Sequence, residues 1–194
     1  KEADLHELDQ VSTDLDLSEK QLDSGIIKIP GYQAFLLDSQ VDDEGKSASF
    51  VDYVNDVKIV DPKRYEVPER LKTVLRPYQV EGFQWLSTLW DKGFGGILAD
   101  EMGLGKSVQL LSLIEARKGN GPSLIVCPAS LVLNWQEECQ KFTPQLSCVA
   151  VDGDAAHRAE LAKQWAEADL VVTSYDLMRR DEELYSGQQF YACI

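Results

Sequence analysis

Residues 103–107 read Gly103-Leu104-Gly105-Lys106-Ser107, two glycines, an ammonium and a hydroxyl within five positions, a combination suited to holding phosphate. The glycines let the backbone curl until successive N–H groups face one concavity, and a helix starting directly behind them adds the positive end of its dipole. Lys106 is spaced to reach the outer phosphates of a nucleotide, and Ser107 to ligand Mg2+ held by that nucleotide. The stretch opens Asp100-Glu101-Met102, so Asp100 stands where the general pattern G-x-x-x-x-G-K-[ST] has its first glycine. A strand feeding the loop and a helix leaving it are the expected context, and the reading fails if side chains fill the bend or if Lys106 points away into solvent with no strand feeding it.

The surrounding pattern supplies such elements. Short apolar runs at 96–99, 123–127, 147–151, 170–173 and 190–194 alternate with helix-length segments at 107–118, 131–142, 155–168 and 176–185. Strands and helices in alternation imply a parallel sheet covered on both faces, joined by right-handed crossovers: a doubly wound α/β layer. Upstream, Pro77 suits the first turn of a helix, and Phe83, Leu86 and Trp90 keep helical spacing until Lys92-Gly93 ends it.

Pro62 and Pro68 bracket a linker, which divides the chain into a small α+β extension over 1–67 and the nucleotide-binding layer over 68–194. Within the extension, Ser18-x-x-Gln21 has the pattern of a capping box, and residues 25–29 and 32–37 read as a hairpin about Pro30-Gly31. Phe50, Tyr53, Val54 and Val57 fall at i, i+3, i+4 and i+7, one face of a helix.

Composition narrows the class. A chain of 194 residues, 44% hydrophobic and 27% charged, is that of an ordinary globular protein. No apolar run approaches the ~18 residues of a membrane span, and no signal peptide opens it, so a cytoplasmic setting without a membrane partner is expected. Cys127, Cys139, Cys148 and Cys193 form no CxxC pair and fit reduced thiols, while His6 and His157 are too isolated for a zinc site. The net charge of −14 is uneven: residues 1–60 carry 14 acidic and 5 basic side chains, residues 61–194 carry 19 and 14. A nucleic-acid surface is normally basic, so these residues alone are expected to bind DNA poorly.

The motifs resemble those of the Swi/Snf family of helicase-like ATPases. Leu98-Ala99-Asp100-Glu101-Met102-Gly103-Leu104-Gly105-Lys106-Ser107-Val108-Gln109 looks like that family's motif I, which has Asp at the position of Asp100. Leu75-Arg76-Pro77-Tyr78-Gln79, with Gly82, Phe83 and Trp85, resembles its adenine-recognising motif. Residues 126–135, Val-Cys-Pro-Ala-Ser-Leu-Val-Leu-Asn-Trp, resemble motif Ia, and residues 172–181, Val-Thr-Ser-Tyr-Asp-Leu-Met-Arg-Arg-Asp, motif Ib. The Gly93-Phe94-Gly95-Gly96-Ile97 lead-in and the preceding extension look most like the bacterial branch.

The resemblance implies a P-loop NTPase fold, a RecA-like doubly wound parallel sheet, incomplete here, that binds ATP with Mg2+. Nucleotide contacts carry over to Arg76, Tyr78, Gln79 and the loop Asp100, Glu101, Met102, Gly103, Leu104, Gly105, Lys106 and Ser107, with Lys106 and Ser107 closest to the chemistry. Gln79 has a donor and an acceptor on one amide and can read an adenine edge; Arg76 and Tyr78 either flank the base or pack on their helix. Contacts to the backbone of double-stranded DNA carry over to Pro128, Ala129, Ser130, Thr173, Ser174 and Tyr175, and such contacts position a duplex without reading its sequence. Trp135 belongs either to core or interlobe packing or to a base-stacking platform.

In the family, the strand matching residues 189–194 runs into an Asp-Glu motif that holds Mg2+ and orients water, and a second lobe supplies an arginine finger. The chain ends at Ile194, so residues 1–194 are expected not to hydrolyse ATP usefully, whereas the full-length protein is expected to couple hydrolysis to movement on duplex DNA, with a polymerase or nucleoprotein complex as a possible partner. Two alternatives stand beside this: a non-motor ATP-binding regulatory or interaction module, and an independent acidic interaction domain in residues 1–60.

Overall fold

The runs Ser-Leu-Ile-Val-Cys and Leu-Val-Val-Thr-Ser are short, apolar and partly β-branched, and they form the two central strands, β1 (Ser123–Cys127) and β3 (Leu170–Ser174). The structure is a computed structural model that describes Thr13, Leu15 and residues 27–58 and 64–194. β1 pairs with β3 in parallel from Ser123 opposite Leu170 to Cys127 opposite Ser174. β2 (Cys148–Ala150) pairs with β3, and β4 (Ala192–Cys193) with β1, both also in parallel, for a strand order β2-β3-β1-β4. Two of the three pairings, β3 with β1 and β1 with β4, join strands that are not consecutive in sequence, and every connection is a crossover carrying helix, as the alternating pattern requires.

The chain divides into two compact units, Lys1–Asp61 with Ser87–Ile97, and Pro62–Leu86 with Leu98–Ile194. In the second unit, alternate residues of the central strands feed opposite faces of the sheet. Ile125, Cys127, Leu170 and Val172 join Leu111 and Ile114 of α4 (Lys106–Ala116), and Val132 and Cys139 of α5 (Val132–Phe142), in one cluster. Leu124 and Val171 face the other way, onto Ala162 of α6 (Ala155–Ala162), Trp165, Ala168 and Tyr185. Both faces being covered, each central strand carries a continuous apolar run, Leu124–Cys127 and Leu170–Val172, instead of alternating.

Two segments depart from single long helices, each at a tertiary contact. The segment 155–168 is helical only to Ala162, then turns through a 3-10 helix at Trp165–Glu167; the turn drops the fully buried Trp165 onto the sheet, 4.6 Å between ring centroids from Tyr185. The segment 176–185 breaks into α7 (Tyr175–Arg180) and α8 (Glu182–Ser186) at Asp181. There the carboxylate takes a two-pronged bond from Arg158, Nε at 2.5 Å and Nη2 at 2.9 Å, while Nη1 donates to the Gly153 carbonyl at 2.7 Å. The Arg158 side chain is 4% exposed and that of Asp181 12%, so the charge of the guanidinium is matched by a carboxylate at a largely buried site.

In the first unit, α1 (Ala34–Gln40) and α2 (Ala48–Lys58) are joined through Asp38, which pairs with Lys58 of α2 at 2.8 Å and with Lys46 of the connecting turn at 3.1 Å. The helix expected from Phe50, Tyr53, Val54 and Val57 forms as α2, with Val54 buried. The hairpin does not: residues 34–40 are helical and residues 27–30 belong to no strand. A six-residue apolar run fits a strand or a buried helix equally, and packing against α2 decides it, with Gly31 so close to the Tyr53 hydroxyl that a Cβ would lie 2.7 Å from it. The capping box at 18–21, Gly25, Ile26 and Pro62 lie outside the described residues.

α3 (Pro77–Asp91) spans the expected range and ends in a Schellman motif, Gly93 N–H to the Trp90 carbonyl at 3.0 Å and Phe94 N–H to Leu89 at 2.8 Å. Gly93 takes φ 71°, the left-handed conformation that this motif demands. The strand expected at 96–99 is absent: the segment belongs to no ladder among the described residues, and Ile97 is 85% exposed. Gly95 and Gly96 bring no side chains to a sheet, and extended backbone becomes a strand only when another strand accepts it.

The Arg158–Asp181 pair sets a pH dependence. The guanidinium holds the Asp181 carboxyl below the usual carboxylate range, so its stabilisation is complete above the unfolded-state value of about 3.9 and is lost as pH falls through the lower folded value. Asp181→Asn is expected to lower the melting temperature at pH 7 and to flatten its fall below about pH 4; equal melting temperatures at pH 7 would contradict the role given to the pair.

Candidate functional site

The loop preceding α4 has the geometry expected of an anion nest. Gly103 (φ 87°) and Gly105 (φ 75°) are both left-handed, and Gly105 is the N-cap of α4 with no side chain bonded to the helix end. The first amides of α4 therefore have neither an intrahelical partner nor a side-chain cap. A Cβ at Gly103 would meet nothing within 4 Å, so the cradle is open on that side. At Gly105 a Cβ would lie 2.4 Å from Gln79 Nε2, which excludes any larger residue there.

Lys106 turns inward. Its Nζ donates to the carbonyls of Asp100 at 2.7 Å and Glu101 at 3.0 Å, closing the loop over its own concavity. Ser107 is half-buried in the first turn of α4, while Met102 at the loop tip is 98% exposed. Open nest, uncapped helix end, ammonium and hydroxyl together fit the polyphosphate of a nucleotide and a magnesium ion carried with it.

Two side-chain amides hold the loop in place. Gln79, buried at the start of α3, donates from Nε2 to the Leu104 carbonyl at 2.9 Å, and its Oε1 accepts the Arg76 N–H at 2.9 Å. The second bond is half of a capping box, the N3 side chain reaching back to the N-cap amide. Both functional groups of Gln79 are thus engaged inside the protein, where the sequence had suggested an adenine edge. Tyr78 joins it, its hydroxyl donating to the same Leu104 carbonyl at 3.2 Å, and Arg76 is exposed.

Gln109, one turn into α4 and fully buried, is the residue that the sequence reading did not single out. Its Nε2 donates to Asp100 Oδ2 at 3.1 Å, tying the head of the loop to the helix that follows it. Its Oε1 lies against Gly82 of α3 so closely that a Cβ there would approach to 1.9 Å. The signal lay within the quoted motif: a Gln four residues after Gly105 faces back along the helix toward the loop.

The expected nucleic-acid residues meet at the carboxyl ends of β1 and β3, because Cys127 and Ser174 are register partners. Pro128, Ala129 and Ser130 are exposed, as is Tyr175 at 62%. Thr173 and Ser174 are buried and their hydroxyls act internally, Thr173 Oγ1 accepting from Tyr185 Oη at 2.7 Å and Ser174 Oγ capping α7 through Leu177 N–H. The surface at this edge is therefore made by Pro128, Ala129, Ser130 and Tyr175. Trp135, partly buried, packs against the α4–α5 face of the sheet.

A glycine nest with a lysine at a helix start, beside a parallel sheet covered on both faces, defines a P-loop nucleotide-binding protein. Residues 78–194 match the model of the SNF2-related domain, and residues 1–68 that of the bacterial SNF2 helicase-associated domain. The chain belongs to the SNF2 family. It is 36% identical over 190 residues to the TATA-binding protein-associated factor mot1 of Aspergillus fumigatus, across 89% of this chain and 10% of that protein. It is 38% identical over 150 residues to helicase SWR1 of Candida albicans, across 73% of this chain and 9% of that protein. Among solved structures, the SWI2/SNF2 ATPase core of Sulfolobus solfataricus in complex with dsDNA aligns with a TM-score of 0.58 at 34% identity, over 66% of this chain and 27% of that one. The chain thus spans about a tenth of those curated relatives.

Because Gln109 occupies the space over Gly82, Gly82→Ala is expected to cost about 1–3 kcal/mol in denaturant unfolding by overpacking. Adding Gln109→Ala should return part of that loss, and strictly additive effects in the double variant would show that the two residues do not touch.

Proposed function

We propose that this chain is the ATP-binding front of a DNA-stimulated ATPase that moves along double-stranded DNA. The observation that carries the reading is the uncapped start of α4 behind two left-handed glycines, with Lys106 folded into the same concavity. On this reading the Lys106 ammonium exchanges the Asp100 and Glu101 carbonyls for the outer phosphates, and the first amides of α4 take the remaining phosphate oxygens. The Ser107 hydroxyl ligands magnesium. When bound, the ion neutralises charge at the transferring phosphate.

Gln79 and Tyr78, joined to the Leu104 carbonyl, relate the loop to whatever occupies the space before α3, and an adenine base there would compete for or extend those bonds. The exposed edge of Pro128, Ala129, Ser130 and Tyr175 offers backbone and hydroxyl groups to a phosphate backbone, which positions a duplex without reading it. The complex of the Sulfolobus core with dsDNA supports duplex DNA as the partner. A cytosolic setting follows from that substrate, and a nucleoprotein complex or polymerase on the DNA is the kind of obstacle such an enzyme would meet.

In the full-length protein, Lys106→Ala is expected to abolish DNA-stimulated ATP hydrolysis while leaving the melting temperature without nucleotide unchanged; retained turnover would overturn the reading. Nucleotide binding without any DNA stimulation of the unaltered full-length protein would favour the non-motor module instead. Purified residues 1–194 are expected to give no DNA-stimulated turnover, since phosphoryl transfer relies on positioned charges that the family's later motifs supply.

A further inference from the structure

We propose that Gln109 is a positioning residue for nucleotide binding: it keeps the head of the phosphate loop in place when the Lys106 ammonium leaves the Asp100 carbonyl for phosphate. The proposal rests on the nucleotide-binding reading of that loop, and every residue it uses lies in the second unit. Asp100 is held at both its carbonyl and its carboxylate. The carbonyl accepts from Lys106 Nζ at 2.7 Å, and the carboxylate, through Oδ2, accepts from Gln109 Nε2 at 3.1 Å. The same Nε2 also donates to the Gly105 carbonyl at 3.5 Å, so one amide spans from the first residue of the loop to its last glycine.

The two holds on Asp100 differ in what can break them. Lys106 carries the charge that phosphate oxygens would take up, so on this reading nucleotide removes the first hold. Gln109 is fully buried and uncharged, and its donor is already directed at a carboxylate. The second hold therefore survives binding and becomes the one that fixes Asp100. A hydrogen bond accepted by a carboxylate is about twice as strong as a neutral one, which suits it to that task. A loop kept in its binding shape spares nucleotide the ordering it would otherwise impose.

The rest of the Gln109 side chain shows why an amide stands here. Its Oε1 is buried with no hydrogen-bond partner among the described residues, and it faces Gly82 so closely that a Cβ there would lie 1.9 Å away. A buried acceptor left unpaired costs stability. An apolar side chain of the same size would fill the space against Gly82 without that cost, so what the amide adds is its donor, aimed at the loop. The arrangement also accounts for Asp100, which stands where the general phosphate-loop pattern has glycine. Glycine offers no carboxylate for the donor to hold.

The test titrates the full-length protein with a fluorescent ATP analogue and Mg2+, and follows amide hydrogen exchange over residues 100–105 with and without saturating nucleotide. Three variants are compared with the unaltered protein. Gln109→Met fills the space without a donor, and Gln109→Glu sets two carboxylates against each other. Gln109→Glu combined with Asp100→Asn exchanges donor and acceptor while keeping the charge of the pair. Gln109→Met is expected to weaken nucleotide binding about tenfold, with KM raised more than kcat is lowered, and to lose protection over 100–105 chiefly in the loaded state. Gln109→Glu should weaken binding further, and the exchanged pair should recover most of that loss. That recovery decides the matter should Gln109→Met not fold. Unchanged affinity and loaded-state exchange in Gln109→Met, or an exchanged pair no better than Gln109→Glu, would overturn the proposal. So would an equal loss of protection with and without nucleotide, the result of a merely structural role. An unaltered protein that binds no nucleotide would overturn the functional reading, and the proposal with it.

Discussion

The parallel pairing of β1 with β3, five residues against five, is the constraint on which the second unit depends. It is non-local, joining residues 47 positions apart at every rung, and it fixes the register that sends Ile125 and Val172 to one face and Leu124 and Val171 to the other. Each face then demands its own cover: α4 and α5 on one side, Trp165, Tyr185 and α6 on the other. The same register puts the exposed turn after Cys127 beside Tyr175, so one interaction builds the core and the candidate nucleic-acid edge together.

At the nucleotide site, restraint comes from uncharged groups. Gln79 and Gln109 each use one amide to hold the loop, the first at Leu104 and the second at Asp100, and each also meets α3, Gln79 through its own N-cap and Gln109 through Gly82. A carboxamide offers donor and acceptor without a net charge, so it can shape an anion site without competing for the anion. Lys106 supplies the charge, its ammonium donating to the carbonyls of Asp100 and Glu101.

Much of this was legible in residue order. The glycine positions, the lysine and the hydroxyl define the nest because only certain backbones and side chains can form it, and β1, α3 and α4 follow from local apolar patterns and from Pro77 and Gly93. The readings that failed were short. The run 32–37 satisfies a strand and a helix pattern alike, and the 96–99 run looks extended in isolation but has no pairing partner among the described residues. The internal partner of Thr173, the Tyr185 hydroxyl twelve residues ahead, is not legible in residue order either.

The sequence by itself determined which residues could cradle phosphate and which segments could be strands or helices, because these depend on backbone freedom, side-chain chemistry and local periodicity. Only the tertiary structure decided which of those groups are free to act. Gln79 is drawn to Leu104, Asp181 to Arg158, and Phe94 to Phe35 and Tyr53, each by a partner distant in sequence. A hydrogen bond or a ring contact is settled by distance and angle in space, which neighbouring residues in the chain do not encode.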